Sequence, residues 1–118
     1  MLLVNGDKNI RSILWIILGI AFILRLNGLT GFSLSNDELS ALARLQFDSA
    51  SEVIREGVYV DFHPAGVQLF LYYWTKVFGF SEFAVRLPFA LMGVLSVYML
   101  YLIGKRWFGE ATGLLAAA

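Results

Sequence analysis

Between Pro88 and Ile103 the chain carries no charged side chain, and the apolar stretch around this run extends from Phe83 to Gly104. Crossing the hydrocarbon core of a bilayer takes roughly 20 consecutive apolar residues. This stretch meets that length, with Arg86 and Pro88 in its first turns and Lys105-Arg106-Trp107 as a basic and aromatic flank. A second run, from Ser12 to about Gly31, is apolar through Leu24 and interrupted by Arg25. Two such runs imply an integral membrane protein. Composition agrees: 58% of the 118 residues are hydrophobic, against about 45–50% in soluble domains. The excess is gathered into segments rather than spread along the chain.

The N-terminal run has the basic residues of a secretory signal, Lys8 and Arg11, but no small-x-small cleavage pattern follows it. Arg25-Leu26-Asn27 stands there instead, so the run reads as an uncleaved first span behind a polar tail, residues 1–11. A third apolar run starts at Ala111 and reaches Ala118 without a cap. The chain is therefore expected to be the N-terminal part of a longer multi-span protein, all-α in class.

Nine basic residues balance nine acidic ones, so bulk charge gives no reason to expect a nucleic-acid partner. With no cysteine and one histidine, disulfides, thiolate metal sites and a His-rich metal site are excluded within this chain. No cofactor is expected, and the sequence leaves a divalent metal open.

Between the two long runs lies a polar island, Ser35 to Pro64. Ser35-x-x-Glu38 is a capping-box pattern and predicts a helix over Asn36–Phe47. Ser49-x-x-Glu52 repeats it, with Gly57 standing where a C′ glycine would end a second, shorter helix. An extended piece, Val58 to Phe62, is expected next. Pro64 then suits the opening of a helix that runs to Phe78 and stops at Gly79. On this helix Gln68, Tyr72, Thr75 and Lys76 share one face, opposite Val67, Leu71, Trp74 and Phe78.

Basic clusters favour the cytoplasmic side. Lys8 and Arg11 precede the first span, and Lys105 and Arg106 follow the 83–104 stretch. An even number of crossings then separates the clusters. The helix at 64–78, only ~22 Å long at 1.5 Å per residue, is expected to lie along the interface rather than cross. This puts an external loop, 32–82, on the extracytoplasmic side. If 64–78 crossed, Lys105 and Arg106 would lie outside instead.

The island holds the residues able to do chemistry. Asp37 and Glu38 are adjacent carboxylates in the first turn of a predicted helix. Acids there are favoured by the helix dipole, and the capping box accounts for Glu38. A carboxylate can also take a proton from an attacking hydroxyl or amine, which is the chemical case for Asp37. Asp61 and His63, two apart on an extended piece, can face one side. Arg86 near the outer end of its span can pair with a loop acid or a lipid phosphate. Arg25 can snorkel to the interface or face the loop. No Gly-rich phosphate loop or nucleophile elbow is present.

The order of these features resembles the N-terminal part of membrane glycosyltransferases of the GT-C type. The nearest groups are the dolichyl-phosphate-mannose–protein mannosyltransferases and the aminoarabinose transferases of lipid A. The resemblance covers residues 12 to 118. It rests on Arg25-Leu26 ending the first span, Asp37-Glu38 early in the first external loop, Asp61-x-His63-Pro64 and Arg86-Leu87-Pro88. Where the mannosyltransferases have His-Pro-Pro-Leu, this chain has His63-Pro-Ala-Gly66.

The resemblance implies a multi-pass protein of the inner (plasma) membrane with its active face outside the cytoplasm. It would be an inverting transferase moving a sugar from a polyprenyl-phosphate donor to a protein, lipid or glycan acceptor. A piece of this size would be inactive alone. Asp37 would be the catalytic base and Glu38 would help to hold the acceptor. Asp61, His63, Arg86 and Arg25 would line or brace the substrate site. A lipid-phosphate leaving group suits catalysis without a metal. The rival reading is a non-enzymatic membrane protein in which Asp37 and Glu38 only cap a helix.

Overall fold

The computed structural model describes residues 3–60 and 64–118, with side chains described from Lys8 onward. Every regular element among them is helical: α1 (Leu3–Leu26), α2 (Asn36–Ala43), α3 (Ala50–Glu52, continuing as a π-helix over Val53–Val58), α4 (Ala65–Phe78), α5 (Glu82–Phe108) and α6 (Glu110–Ala117). Two helices are long and apolar enough to cross a membrane, α1 over Lys8–Leu26 and α5 over Glu82–Phe108. The helix of the first span begins at Leu3, so the expected N-terminal tail is helical from there on.

The chain divides into two compact units. One comprises the chain up to Leu29 and from Leu87 onward; the other is Thr30–Arg86.

In the first unit Leu14 of α1, Tyr101 of α5 and Ala117 of α6 are buried together, flanked by Ile17, Leu18, Val97 and Leu114. α5 and α6 form a hairpin that turns at Gly109, whose φ of 95° is open to glycine at little steric cost. The hairpin closes on a backbone contact. A Cβ on Gly113 would sit 2.7 Å from the Tyr101 carbonyl oxygen, and one on Gly104 would sit 2.9 Å from the Gly113 Cα. Small residues at such crossings let helix backbones approach in lipid. Arg11 of α1 shares a groove with Lys105 and Glu110, while Arg25 packs on Gly93. The two helices therefore run antiparallel, and both basic clusters lie at one end of this unit. The outer surface is apolar: Trp15, Ile16, Ile20, Leu95, Met99 and Ile103 are all exposed.

The second unit has a core of its own. Leu42, Leu45, Val53, Val58, Leu71, Tyr72 and Val85 are buried together. α2 stops at Ala43 rather than Phe47, and Arg44 caps it. The chain turns there so that Leu45 enters the core and Phe47 packs against it. Ser49 caps α3, accepting from the Glu52 amide, as its spacing predicts.

Gly57 does not end that helix. The π-helix runs through it to Val58, and the Tyr59 amide donates to the Ile54 carbonyl at 2.9 Å. The wide turn brings Val53 and Val58, five apart, into one core. Gly57 is required for space: a Cβ there would lie 3.0 Å from the Arg44 carbonyl oxygen. Of the extended piece expected over Val58–Phe62, Val58 is helical and Tyr59 and Val60 form a turn; Asp61 and Phe62 lie outside the described residues.

α4 begins and ends where predicted, with Pro64 as N-cap and Gly79 (φ 80°) as C-cap. Its faces are used in an unexpected sense. Gln68, Tyr72 and Thr75 are each 3% exposed, so the polar stripe points into the unit's own core. Val67, Phe70, Tyr73, Val77 and Phe78 are exposed. Leu71, expected on the face opposite the polar stripe, is buried in the core as well. The buried polar atoms are largely satisfied: Thr75 Oγ1 donates to the Leu71 carbonyl at 2.8 Å and Tyr72 Oη donates to the Asp48 carbonyl at 2.8 Å. Among the described residues Gln68 Oε1 has no partner.

Candidate functional site

Three of the residues singled out from the sequence, Asp37, Glu38 and Arg86, meet at the start of α2. Ser35 takes an extended backbone and its hydroxyl accepts from the Glu38 amide at 3.3 Å. Glu38 Oε2 in turn accepts from the Ser35 amide at 2.7 Å, which completes the capping box. Two of the free N–H groups at the helix start are thus paired reciprocally.

The same carboxylate is also clasped from α5. Arg86 Nε donates to Glu38 Oε1 at 2.6 Å, and Arg86 Nη2 donates to Oε2 at 2.8 Å. This is the two-point geometry in which a guanidinium holds a carboxylate most firmly. Arg86 spends its remaining reach on the loop before α2. Nη1 donates to the Phe32 carbonyl at 3.0 Å and Nη2 to the Ser33 carbonyl at 3.1 Å. One side chain at the head of a span therefore fixes both the approach to α2 and its first turn. The Arg86 hydrogen bond, aided by those from Ser35 and opposed by partial burial, lowers the Glu38 carboxyl from the usual 4.5 to about 2.

Asp37, the neighbour of Glu38, is in a different state. It lies in the first turn of α2 and is exposed. Among the described residues its carboxylate takes part in no hydrogen bond or ion pair. The two adjacent acids are thus divided by the 100° step of the helix: one is consumed in holding the loop, the other is left open on a held turn.

Arg86 owes its position to the way α5 starts. Ser81 Oγ accepts from the Ala84 amide at 3.2 Å and caps the helix. Pro88, in the second turn, has no N–H to give to the Ala84 carbonyl four residues back. Trp74 of α4 supplies the missing donor: its indole Nε1 reaches that oxygen at 2.7 Å. Pro88 is visible in the sequence as a break in the ladder, whereas nothing local marks Trp74 as the residue that repairs it. Tyr72 and Lys76 were likewise legible only as members of a polar stripe. Lys76 Nζ stands 2.5 Å from Tyr72 Oη and 3.9 Å from the ring centroid, joining the link to Asp48.

Of the other predicted site residues, Asp61 and His63 lie outside the described residues. Arg25 belongs to the first unit, where its Nη1 donates to the Ala21 carbonyl at 3.2 Å. Its side chain fills the notch over Gly93, where a Cβ would lie 2.6 Å from Nε. Among the described residues no three His, Asp or Glu side chains gather where they could hold a metal ion.

Residues 62–118 match the family model described as dolichyl-phosphate-mannose-protein mannosyltransferase, one of the groups whose pattern the sequence resembles. The match takes in α4, α5 and α6, with Arg86-Leu87-Pro88, and starts after the Asp37-Glu38 turn. The match covers just under half of the chain, and it is what that part of the chain is similar to. No curated protein and no solved structure matches the chain.

Proposed function

We propose, from the mannosyltransferase match over 62–118, that this chain carries the base of a transferase that moves a sugar from a polyprenyl-phosphate donor to an acceptor outside the cytoplasm, and that Asp37 is that base. The observation behind the choice is the contrast within one helical turn. The Asp37 carboxylate is open, while Ser35, Glu38 and Arg86 rigidly hold the turn that presents it.

In this reading Asp37 takes the proton of the acceptor hydroxyl or amine as that atom bonds to the sugar's anomeric carbon. The bond from that carbon to the lipid phosphate breaks, and the electron pair leaves with the phosphate oxygen. Attack from the face opposite the leaving group inverts the centre. Glu38 and Arg86 act here as the frame, a narrower role than holding the acceptor. Asp61, His63 and Arg25 are proposed to line or brace the substrate. The acceptor is a protein, lipid or glycan, and the host membrane is the inner (plasma) membrane.

Asp37→Asn is isosteric and keeps a polar first turn. It is expected to lower transfer by roughly 10²–10⁴-fold, the usual worth of general-base catalysis, while the protein inserts and folds as before. Undiminished transfer would remove Asp37 from the chemistry. The completed capping box favours the second reading, in which both acids are structural; that reading predicts only a small stability change in the same variant.

The orientation is open to a separate check. The chain has no cysteine, so single cysteines at Ser51 and Ser81 can be labelled from outside intact cells with a membrane-impermeant maleimide. Labelling of both is expected, and protection of both would reverse the topology.

A further inference from the structure

The basic end of the first unit holds a groove that the transferase reading does not use. It has a volume of about 560 Å³ and is walled by Arg11, Leu14 and Trp15 of α1, by Tyr98 and Lys105 of α5, and by Glu110 of α6. Its two ends differ in chemistry. The wall toward the middle of the span is apolar and aromatic, and Trp15 is 71% exposed. The mouth carries the cations.

Lys105 is committed in part: its Nζ stands 2.5 Å from Glu110 Oε1 and 3.3 Å from Tyr101 Oη. Glu110 Oε1 also accepts from Tyr101 Oη at 2.9 Å. The one acid among the residues that line the groove is thereby paired within the unit. Arg11, exposed on α1, has no hydrogen-bond partner among the described residues. The mouth is left with one net positive charge, supplied by a guanidinium whose donors are open.

We infer that this groove is a binding site for an anionic phospholipid: Arg11, with Lys105 beside it, takes the phosphate, and an acyl chain lies along Leu14, Trp15 and Tyr98. Basic pockets between spanning helices are the usual seats of anionic headgroups. A guanidinium matches phosphate in two-point fashion, and an indole is at home at the level of the headgroups. The inference needs α1 and α5 to span the membrane and does not depend on the transferase chemistry.

The test uses the protein purified from its own membranes, native mass spectrometry and added phosphatidylglycerol, with phosphatidylcholine and inorganic phosphate as comparisons. Retained phosphatidylglycerol is expected to exceed phosphatidylcholine. Arg11→Gln, which removes no hydrogen bond of the fold, is expected to weaken that retention about fivefold, the worth of one cation near a headgroup. Leu102 also lines the groove, and Leu102→Trp, which fills it without changing charge, is expected to lower retention of the lipid without altering sugar transfer. Equal retention of both lipids, full competition by inorganic phosphate, or no effect of Arg11→Gln would each overturn the assignment.

A photo-crosslinker replacing Trp15 provides an independent readout in native membranes. Capture of phospholipid supports the inference, and capture of a peptide, from this protein or another, overturns it.

Discussion

The two units hide different things. In Thr30–Arg86 the core is that of a small water-soluble domain: Val53 is wholly buried, and Leu71 and Tyr72 are nearly so. Caps, an ion pair and long-range hydrogen bonds fix the loops around it. The bundle of α1, α6 and the part of α5 beyond Leu87 buries Leu14 and Tyr101 and otherwise mostly small residues such as Ala21, Gly104, Gly113 and Ala117, and turns most of its Leu, Ile, Met and Trp side chains outward. The hydrophobic effect stabilises the first arrangement. It gives the second almost nothing, because lipid tails are as apolar as leucine, and there close backbone packing has to serve. The helix α4 stands between these cases: its polar stripe faces protein and its apolar face is exposed.

The sharpest way to break the contrast is to attack packing where packing is all there is. Gly113→Val puts a branched side chain where even a Cβ lies 2.7 Å from the Tyr101 carbonyl and 2.8 Å from the Lys105 amide. These are backbone atoms and cannot rotate away, so α5 and α6 must part. A loss of about 3 kcal/mol is expected, read as a lower unfolding temperature in detergent. Protease protection of the 30–86 unit should not change. Unchanged thermal stability would show that the glycine contact does not hold the hairpin.

The converse experiment attacks the polar clamp. Arg86→Met keeps much of the side chain's length but removes the donations to Glu38, Phe32 and Ser33 and leaves Glu38, 28% exposed, without its cation. About 2 kcal/mol should be lost from the 30–86 unit, less than for a fully buried pair because water still reaches the carboxylate. Hydrogen exchange should quicken over 32–43, with the amides of α6 unaffected. Exchange that quickens equally in both units would mean that they unfold as one.

How much of this was legible depends on the range of the interaction. The Ser35–Glu38 capping box and the Ser49 cap were read correctly because three residues of spacing fix them. The placement of Lys8 and Arg11 at the same level as Lys105 and Arg106 was foreseen from charge alone, and Arg11 and Lys105 do line one groove.

Gly57 was misread because a glycine needed for positive φ and one needed for lack of a Cβ look alike in a sequence. The described part of the expected extended segment, Val58 to Val60, fell with it. That Arg86 pairs with a loop acid was among the expectations; which acid was not, because its clasp of Glu38 spans 48 positions and nothing local to either residue names the other. The division between an engaged Glu38 and an open Asp37 follows from that clasp, so it was out of reach as well. The resemblance had put both acids in the site; it could not say which one the fold consumes.

The smallest effect separates those two acids directly. Glu38 titrates at about 2 in the folded protein against 4.5 when free, chiefly because of Arg86. Between these values the unfolded chain binds more protons than the folded one, so folding weakens as pH falls. The stabilisation from the clamp is therefore complete above pH 4.5 and vanishes as pH drops through about 2. With 28% of the side chain in water, its magnitude is roughly 1–2 kcal/mol after screening. A carboxyl carbon titration by NMR should give Glu38 a midpoint near 2, and in Arg86→Met that midpoint should rise toward 4.5. A midpoint near 4.5 in the unaltered protein would mean that the guanidinium is not held on Glu38 in solution. The turn presenting Asp37 would then be loose, and the contrast on which the assignment of the base stands would be gone.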